Sequence, residues 1–103
     1  MELMTNEIRE KFKEFPLYSQ DGKGEDAEVV VKYFTPDAQG TWLITEGNEM
    51  ENGDWELFGY ITLGYEWEWG YVWLSQLKEV RGKLGLPVER DLHCEGRKVK
   101  ELK

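Results

Sequence analysis

The stretch Tyr65–Trp73, YEWEWGYVW, packs three tryptophans, two tyrosines and two glutamates into nine residues. How it reverses direction decides which side chains enter the core. The longest strand pattern runs from Trp55 to Trp67: the odd positions Trp55, Leu57, Gly59, Ile61, Leu63, Tyr65 and Trp67 are nearly all apolar, while Glu56, Thr62, Glu66 and Glu68 fall on even ones. Period-two alternation is the mark of a half-buried strand, so the odd face is expected to be the core. With Trp69 and Gly70 as the central pair of a tight turn, Glu68 lies opposite Tyr71, Trp67 opposite Val72 and Glu66 opposite Trp73. Val72 and Leu74 then join the core, and Tyr71 and Trp73 share the outer face with Phe58, Tyr60, Glu66 and Glu68. A connection one residue longer exchanges the two faces and removes the outer patch.

Outward from this hairpin the chain divides into short elements. Residues 5 to 14 read as an amphipathic helix, with Thr5 as cap, Ile8, Phe12 and Phe15 on one stripe, and Pro16 as its stop. SQDGKGEDA, residues 19 to 27, is a polar loop. EVVVKYF, residues 28 to 34, is a strand with Val29, Val31 and Tyr33 on one face. TPDAQG, residues 35 to 40, is turn chemistry, TWLITE is a strand with Trp42 and Ile44 together, and residues 47 to 54 form a loop. Ser75 caps a short helix that directs Leu77 and Val80 inward and ends at Gly82. Residues 88 to 94 form a last strand, and KVKELK a frayed helical end. There is no internal repeat, low-complexity segment or linker.

At 103 residues, 40% of them hydrophobic and 14% aromatic, the chain supports one core within a single domain of residues 1 to 103. The expected fold class is α+β: an antiparallel sheet of four or five strands, an N-terminal helix and a short helix after the aromatic hairpin. No run reaches the roughly 20 apolar residues of a membrane span, and the amino terminus lacks the apolar centre of a signal peptide. With a lone cysteine, Cys94, this points to a cytoplasmic protein without membrane contact. The net charge of −8 is uneven: residues 1 to 80 carry −11 and residues 81 to 103 carry +3. An acidic body repels phosphates, which disfavours direct nucleic-acid binding and favours a basic protein partner.

The pieces PLYSQDGKG, VKYFTPD, TWLITEG, LFGYITLGYE, GYVWLSQL and VRGKLGLPVERDLH, in that order, resemble the family called domain of unknown function 2958. The resemblance runs from about Leu3 to Leu92. It implies a small stand-alone protein of bacteria, phages, plasmids and conjugative elements, and brings no catalytic residue with it. Trp67, Trp69 and Trp73 are richer in indole than the family pattern.

The remaining motifs are weighed on their chemistry. Gly22, Lys23 and Gly24 lack the spacing of a phosphate loop, and the acids beside them repel an anion. Glu89, Asp91 and His93 alternate along the last strand and offer ligand types suited to Zn, Mn or Fe. Same-face neighbours on one strand are roughly 7 Å apart, however, so three of them rarely converge on one ion. His93 and Cys94 point to opposite faces, which removes a thiol and imidazole pair. A carboxylate pair for glycoside chemistry needs a cleft that a small, filled domain does not provide. The aromatic hairpin is the strongest feature: exposed rings rimmed by charge mark interaction sites, although cross-strand aromatic pairs also stabilise a sheet by up to about 1 kcal/mol each. The preferred reading is a non-enzymatic accessory protein without cofactor. It binds a protein through Phe58, Tyr60, Glu66, Glu68, Tyr71 and Trp73, and association with a mobile element implies modulation of a host or defence protein. The alternative is a metal-dependent hydrolase or metal-binding protein centred on Glu89, Asp91 and His93.

Overall fold

The computed structural model describes residues 1–91 and 96–103. Helix α1, Asn6–Glu14, starts where Thr5 Oγ1 accepts the Ile8 amide at 3.2 Å and buries Ile8 and Phe12. Four strands follow as an antiparallel meander: β1 (Val31–Phe34), β2 (Thr41–Glu49), β3 (Trp55–Thr62) and β4 (Trp67–Trp73). Helix α2, Leu74–Glu79, continues directly from β4, the two-residue β5 (Glu89–Arg90) pairs with β1, and α3 spans Val99–Leu102. The sheet order is β4-β3-β2-β1-β5. This is the expected α+β arrangement, with five strands, an N-terminal helix and a short helix after the hairpin.

The main core lies on the inner face of the sheet. Val31, Tyr33, Trp42, Ile44, Trp55 and Leu57 pack there against Ile8 and Phe12 of α1 and Leu74 and Leu77 of α2. The Phe12 and Trp55 rings sit 5.3 Å apart. A smaller cluster of Ala27, Val29, Leu43 and Val99 covers part of the outer face. The expectation that Val29 shares a face with Val31 and Tyr33 is corrected here. The Val29 amide bonds to the Arg97 carbonyl at 2.8 Å, the β1–β2 ladder is in register from Val31, and Val29 turns to the outer cluster. The frayed helical end expected at the C-terminus is instead α3, anchored by a fully buried Val99.

The hairpin reverses elsewhere than its sequence indicated. Trp69 and Gly70 lie inside β4, opposite Tyr60 and Gly59, and the reversal occupies residues 63 to 66. Gly64 supplies the left-handed backbone, at φ +109°, and its amide is held by Thr62 Oγ1 at 3.1 Å. Gly70 has no positive φ. The odd-residue strand therefore stops at Thr62, and Leu63 and Tyr65 project from the turn instead of entering the core. Ser75 does not cap α2. Its hydroxyl donates to Asp54 Oδ2 at 2.6 Å, and the Trp73 amide is taken up by Gln76 Oε1 at 2.8 Å.

Strand β2 continues to Glu49, beyond the boundary its sequence indicated, and carries a bulge between Ile44 and Glu46. Next to it, Gly59 allows a very close approach: a Cβ added there would lie 2.0 Å from the Leu43 carbonyl oxygen, whereas one added at Gly70 would meet nothing within 4 Å. Gly59→Ala is therefore expected to destabilise the protein by at least about 1–3 kcal/mol, and Gly70→Ala to leave stability nearly unchanged. Urea unfolding followed by circular dichroism checks the pair.

Candidate functional site

The register of β2, β3 and β4 decides what the outer face displays. Side chains alternate along each strand, so Leu43, Tyr60 and Trp69 form one row across the sheet, Glu46, Phe58 and Tyr71 the next, and Asn48, Glu56 and Trp73 a third. Trp67 lies opposite Thr62 at the turn end. Tyr71 and Trp73 thus share the outer face with Phe58 and Tyr60. Glu66 and Glu68 do not join them: Glu66 belongs to the reversal, and Glu68, opposite Ile61, is exposed on the inner side of the sheet. Both line an open groove of about 380 Å³ at the hairpin end, together with Leu63, Tyr65 and Trp69.

Five rings pack in a continuous zigzag over the hairpin. Trp67 and Tyr60 stack with centroids 5.2 Å apart, Tyr60 tilts against Trp69 at 4.7 Å, Trp69 stacks on Phe58 at 5.7 Å, and Phe58 tilts against Tyr71 at 4.8 Å. Such contacts contribute about 0.5–1.5 kcal/mol each beyond the area they bury. Trp67 and Tyr60 also pack on the small cluster that includes Val99 and Leu102. At the other end the stack opens to solvent, with Trp69 38% and Tyr71 52% exposed. Trp67 and Trp69 did not emerge as site residues from the sequence: a turn centred on Trp69 hid its place in a strand, and Trp67, expected on the core face with the other odd residues, lies on the outer face because the strand that carries it begins after the reversal.

A buried carboxylate shapes the open end. Glu46, only 3% exposed, accepts the backbone amides of Tyr18 at 2.7 Å and Gln20 at 2.9 Å. The Gln20 side-chain amide donates in turn to the carbonyls of Thr45 and Glu28, and its oxygen accepts the Glu28 amide. This network binds the loop after α1 to the bulge of β2 and holds Tyr18 at φ +73°, a conformation that costs a side-chain-bearing residue about 1–3 kcal/mol. Tyr18 is thereby brought near Tyr71. The influence of the Tyr18 hydroxyl, with lesser contributions from burial and from Glu56 and Glu46, raises the Tyr71 pKa above the usual tyrosine range.

The segment that builds the face is acidic. No Lys, Arg or His occurs from Tyr33 to Leu77, a stretch with eight carboxylates, equal to the net charge of the whole chain, −8. The C-terminal lysines near the outer face are already engaged, Lys100 with Asp26 at 2.8 Å and Lys103 with Glu25 at 2.5 Å.

The tail residues stand apart from this face. Glu89 is opposite Phe34 in β5, and Asp91 forms an ion pair with Lys32 at 3.7 Å. His93 and Cys94 lie outside the described residues. Among the described residues no group of three His, Cys, Asp or Glu side chains is arranged to hold a metal ion. The Gly22–Gly24 segment is a turn leading into a short 3-10 segment, Gly24–Asp26. No helix among the described residues is long and apolar enough to cross a membrane.

A family model described as "Protein of unknown function (DUF2958)" matches residues 3–100. The chain belongs to that family. No curated protein and no solved structure matches it. Two segments that carry the DUF2958 resemblance have visible structural work in this fold. The Leu-Tyr-Ser-Gln segment is tied to Glu46. The aspartate of Phe-Thr-Pro-Asp, Asp37, accepts the amides of Leu84 and Leu86 at 2.6 and 3.3 Å and so fixes the Gly-Leu-Pro loop.

Two measurements test this corner. Glu46→Ala strands the Tyr18 and Gln20 amides, and since an orphaned buried group costs about 1–3 kcal/mol, a loss of about 2–4 kcal/mol is expected in the unfolding free energy from urea denaturation, with Glu46→Gln milder. The raised Tyr71 pKa means the folded state holds that proton more tightly than the unfolded chain. The resulting stabilisation is whole below the ordinary tyrosine range, near pH 10, and fades as pH rises through the folded value. Tyr18→Phe removes the neighbouring hydroxyl, so Tyr71 is expected to ionise at lower pH in an ultraviolet titration.

Proposed function

We propose that this DUF2958 protein is a non-enzymatic accessory module that binds a basic protein. Phe58, Tyr60, Tyr71 and Trp73, joined by Trp69, form the contact face, and Glu66 and Glu68 supply charge at the hairpin end. The supporting observation is the five-ring stack, open to water at Trp69 and Tyr71, within a region that has carboxylates and no cationic side chain of its own. Large rings that combine area with few rotatable bonds are the usual anchors of protein interfaces. Like charge around them steers encounter toward a partner of opposite sign and disfavours nucleic acid. The family resemblance to chains of phages and plasmids adds that the partner is a host or defence protein in the cytoplasm.

The test starts with capture of lysate proteins on immobilised chain at low and high salt, followed by calorimetry on any partner recovered. A Trp69→Thr, Tyr71→Thr double variant keeps strand-favouring residues at two partly exposed positions and is expected to fold. Its affinity should fall by at least about tenfold, as for two interface anchors of about 1 kcal/mol or more each. Equal affinity in the folded double variant would refute the face.

A further inference from the structure

Strand β4 is the margin of the sheet, with β3 on one side and no strand on the other. It runs seven residues and pairs with β3 without a bulge. In an antiparallel pair, about half of the backbone N–H and C=O groups of a marginal strand point away from its partner. Among the described residues, the main chain of Trp67–Val72 pairs with β3 alone, and Trp73 is the first to find another acceptor, at Gln76. Proteins commonly protect such a margin with a very short strand, a charged side chain, most often lysine, a proline or a bulge. The opposite margin follows that rule, since β5 has two residues and one is Arg90. β4 is long and has no proline, lysine or bulge, and its one charge, Glu68, repels acidic strands while leaving a basic one admissible.

We propose that the margin of β4 takes up an extended basic segment of the partner protein as a sixth strand. This rests on the reading above and specifies how the partner docks. A strand laid on β4 satisfies the outward backbone groups and sends its side chains alternately to the two faces. Those on the outer face come beside Trp69 and Tyr71, where a guanidinium or an aliphatic lysine stem packs on the rings. Those on the inner side come beside Glu68 and the open space at Gly70, where an added Cβ would meet nothing within 4 Å. The groove of Ile61, Leu63, Tyr65 and Glu66 continues the surface past the end of the strand. A partner of this kind carries Arg or Lys at every second position, not at helical spacing. A second copy of the chain would oppose −8 to −8, so self-pairing is electrostatically opposed and a basic strand favoured.

The probe is a short capped peptide alternating Arg with Val and Thr. It is compared with an otherwise identical Glu peptide and with two versions N-methylated at alternate residues in opposite phase. Amide exchange and chemical shifts are followed by NMR on the full chain. The Arg peptide is expected to slow exchange of the outward amides of β4 by about tenfold or more. One methylation phase should abolish that protection, and the Glu peptide should give none. Ring shifts at Trp69 and Tyr71 with equal binding by both methylated peptides would overturn strand addition and leave the aromatic face standing. Protection that arises without peptide and grows with protein concentration would replace the basic segment by a second copy. Silence at both rings and margin would overturn both readings.

Discussion

The bulge at Thr45 governs the architecture. Ile44 faces the core opposite Gly59, and without the extra residue Glu46 would face it too. The bulge shifts the alternation so that Glu46 pairs with Phe58 on the outer face and Gly47 with Leu57 on the inner one. The core side thus receives a residue without a side chain, and α1 packs directly on it: a Cβ at Gly47 would lie 2.9 Å from Leu57 Cδ2 and 3.0 Å from the Phe12 ring. The outer side receives a carboxylate, which binds the loop after α1 and brings Tyr18 over the sheet. One inserted residue therefore seats the helix on one side and organises the candidate site on the other.

The hairpin shows what alternation encodes and what it leaves open. The period-two pattern of Trp55, Leu57, Gly59 and Ile61 marks the inner face correctly, because burial on one side alone imposes that period. The position of the turn was not encoded as plainly. LGYE and EWGY both place a glycine among aromatics, and the choice between Gly64 and Gly70 depends on which glycine reaches a positive φ in the folded hairpin. The two alternatives differ by an even shift in pairing, so Tyr71 and Trp73 reach the same face as Phe58 and Tyr60 in either. Glu66 and Glu68 change their places, since a turn at residues 63 to 66 removes them from the strand that precedes it.

Other parts of the site depend on contacts between distant segments, to which a local pattern is blind. The approach of Tyr18 to Tyr71 needs the bulge, the buried Glu46 and a left-handed tyrosine at once, and none of these has a periodic signature. α3 looked too short and too charged to persist. It holds because Val99 fills a pocket lined by Ala27, Val29 and Leu43, an anchor supplied by tertiary packing where propensity alone would fail. The Leu-Tyr-Ser-Gln and Phe-Thr-Pro-Asp segments were legible as family features, and their hydrogen bonds fasten loops to the sheet. The resemblance they carry is accordingly informative about the fold and nearly silent about activity.

The five indoles fall into two optical populations. Trp42 and Trp55 are sealed in the core at 5% exposure each, while Trp67, Trp69 and Trp73 line the outer face in partial contact with water. Fluorescence from the first pair reports whether the domain is folded, and the red-shifted, quencher-accessible emission of the second set reports what touches the sheet. The molecule therefore carries an intrinsic label at the surface whose occupancy is in question, and acrylamide quenching reads it without any attached dye.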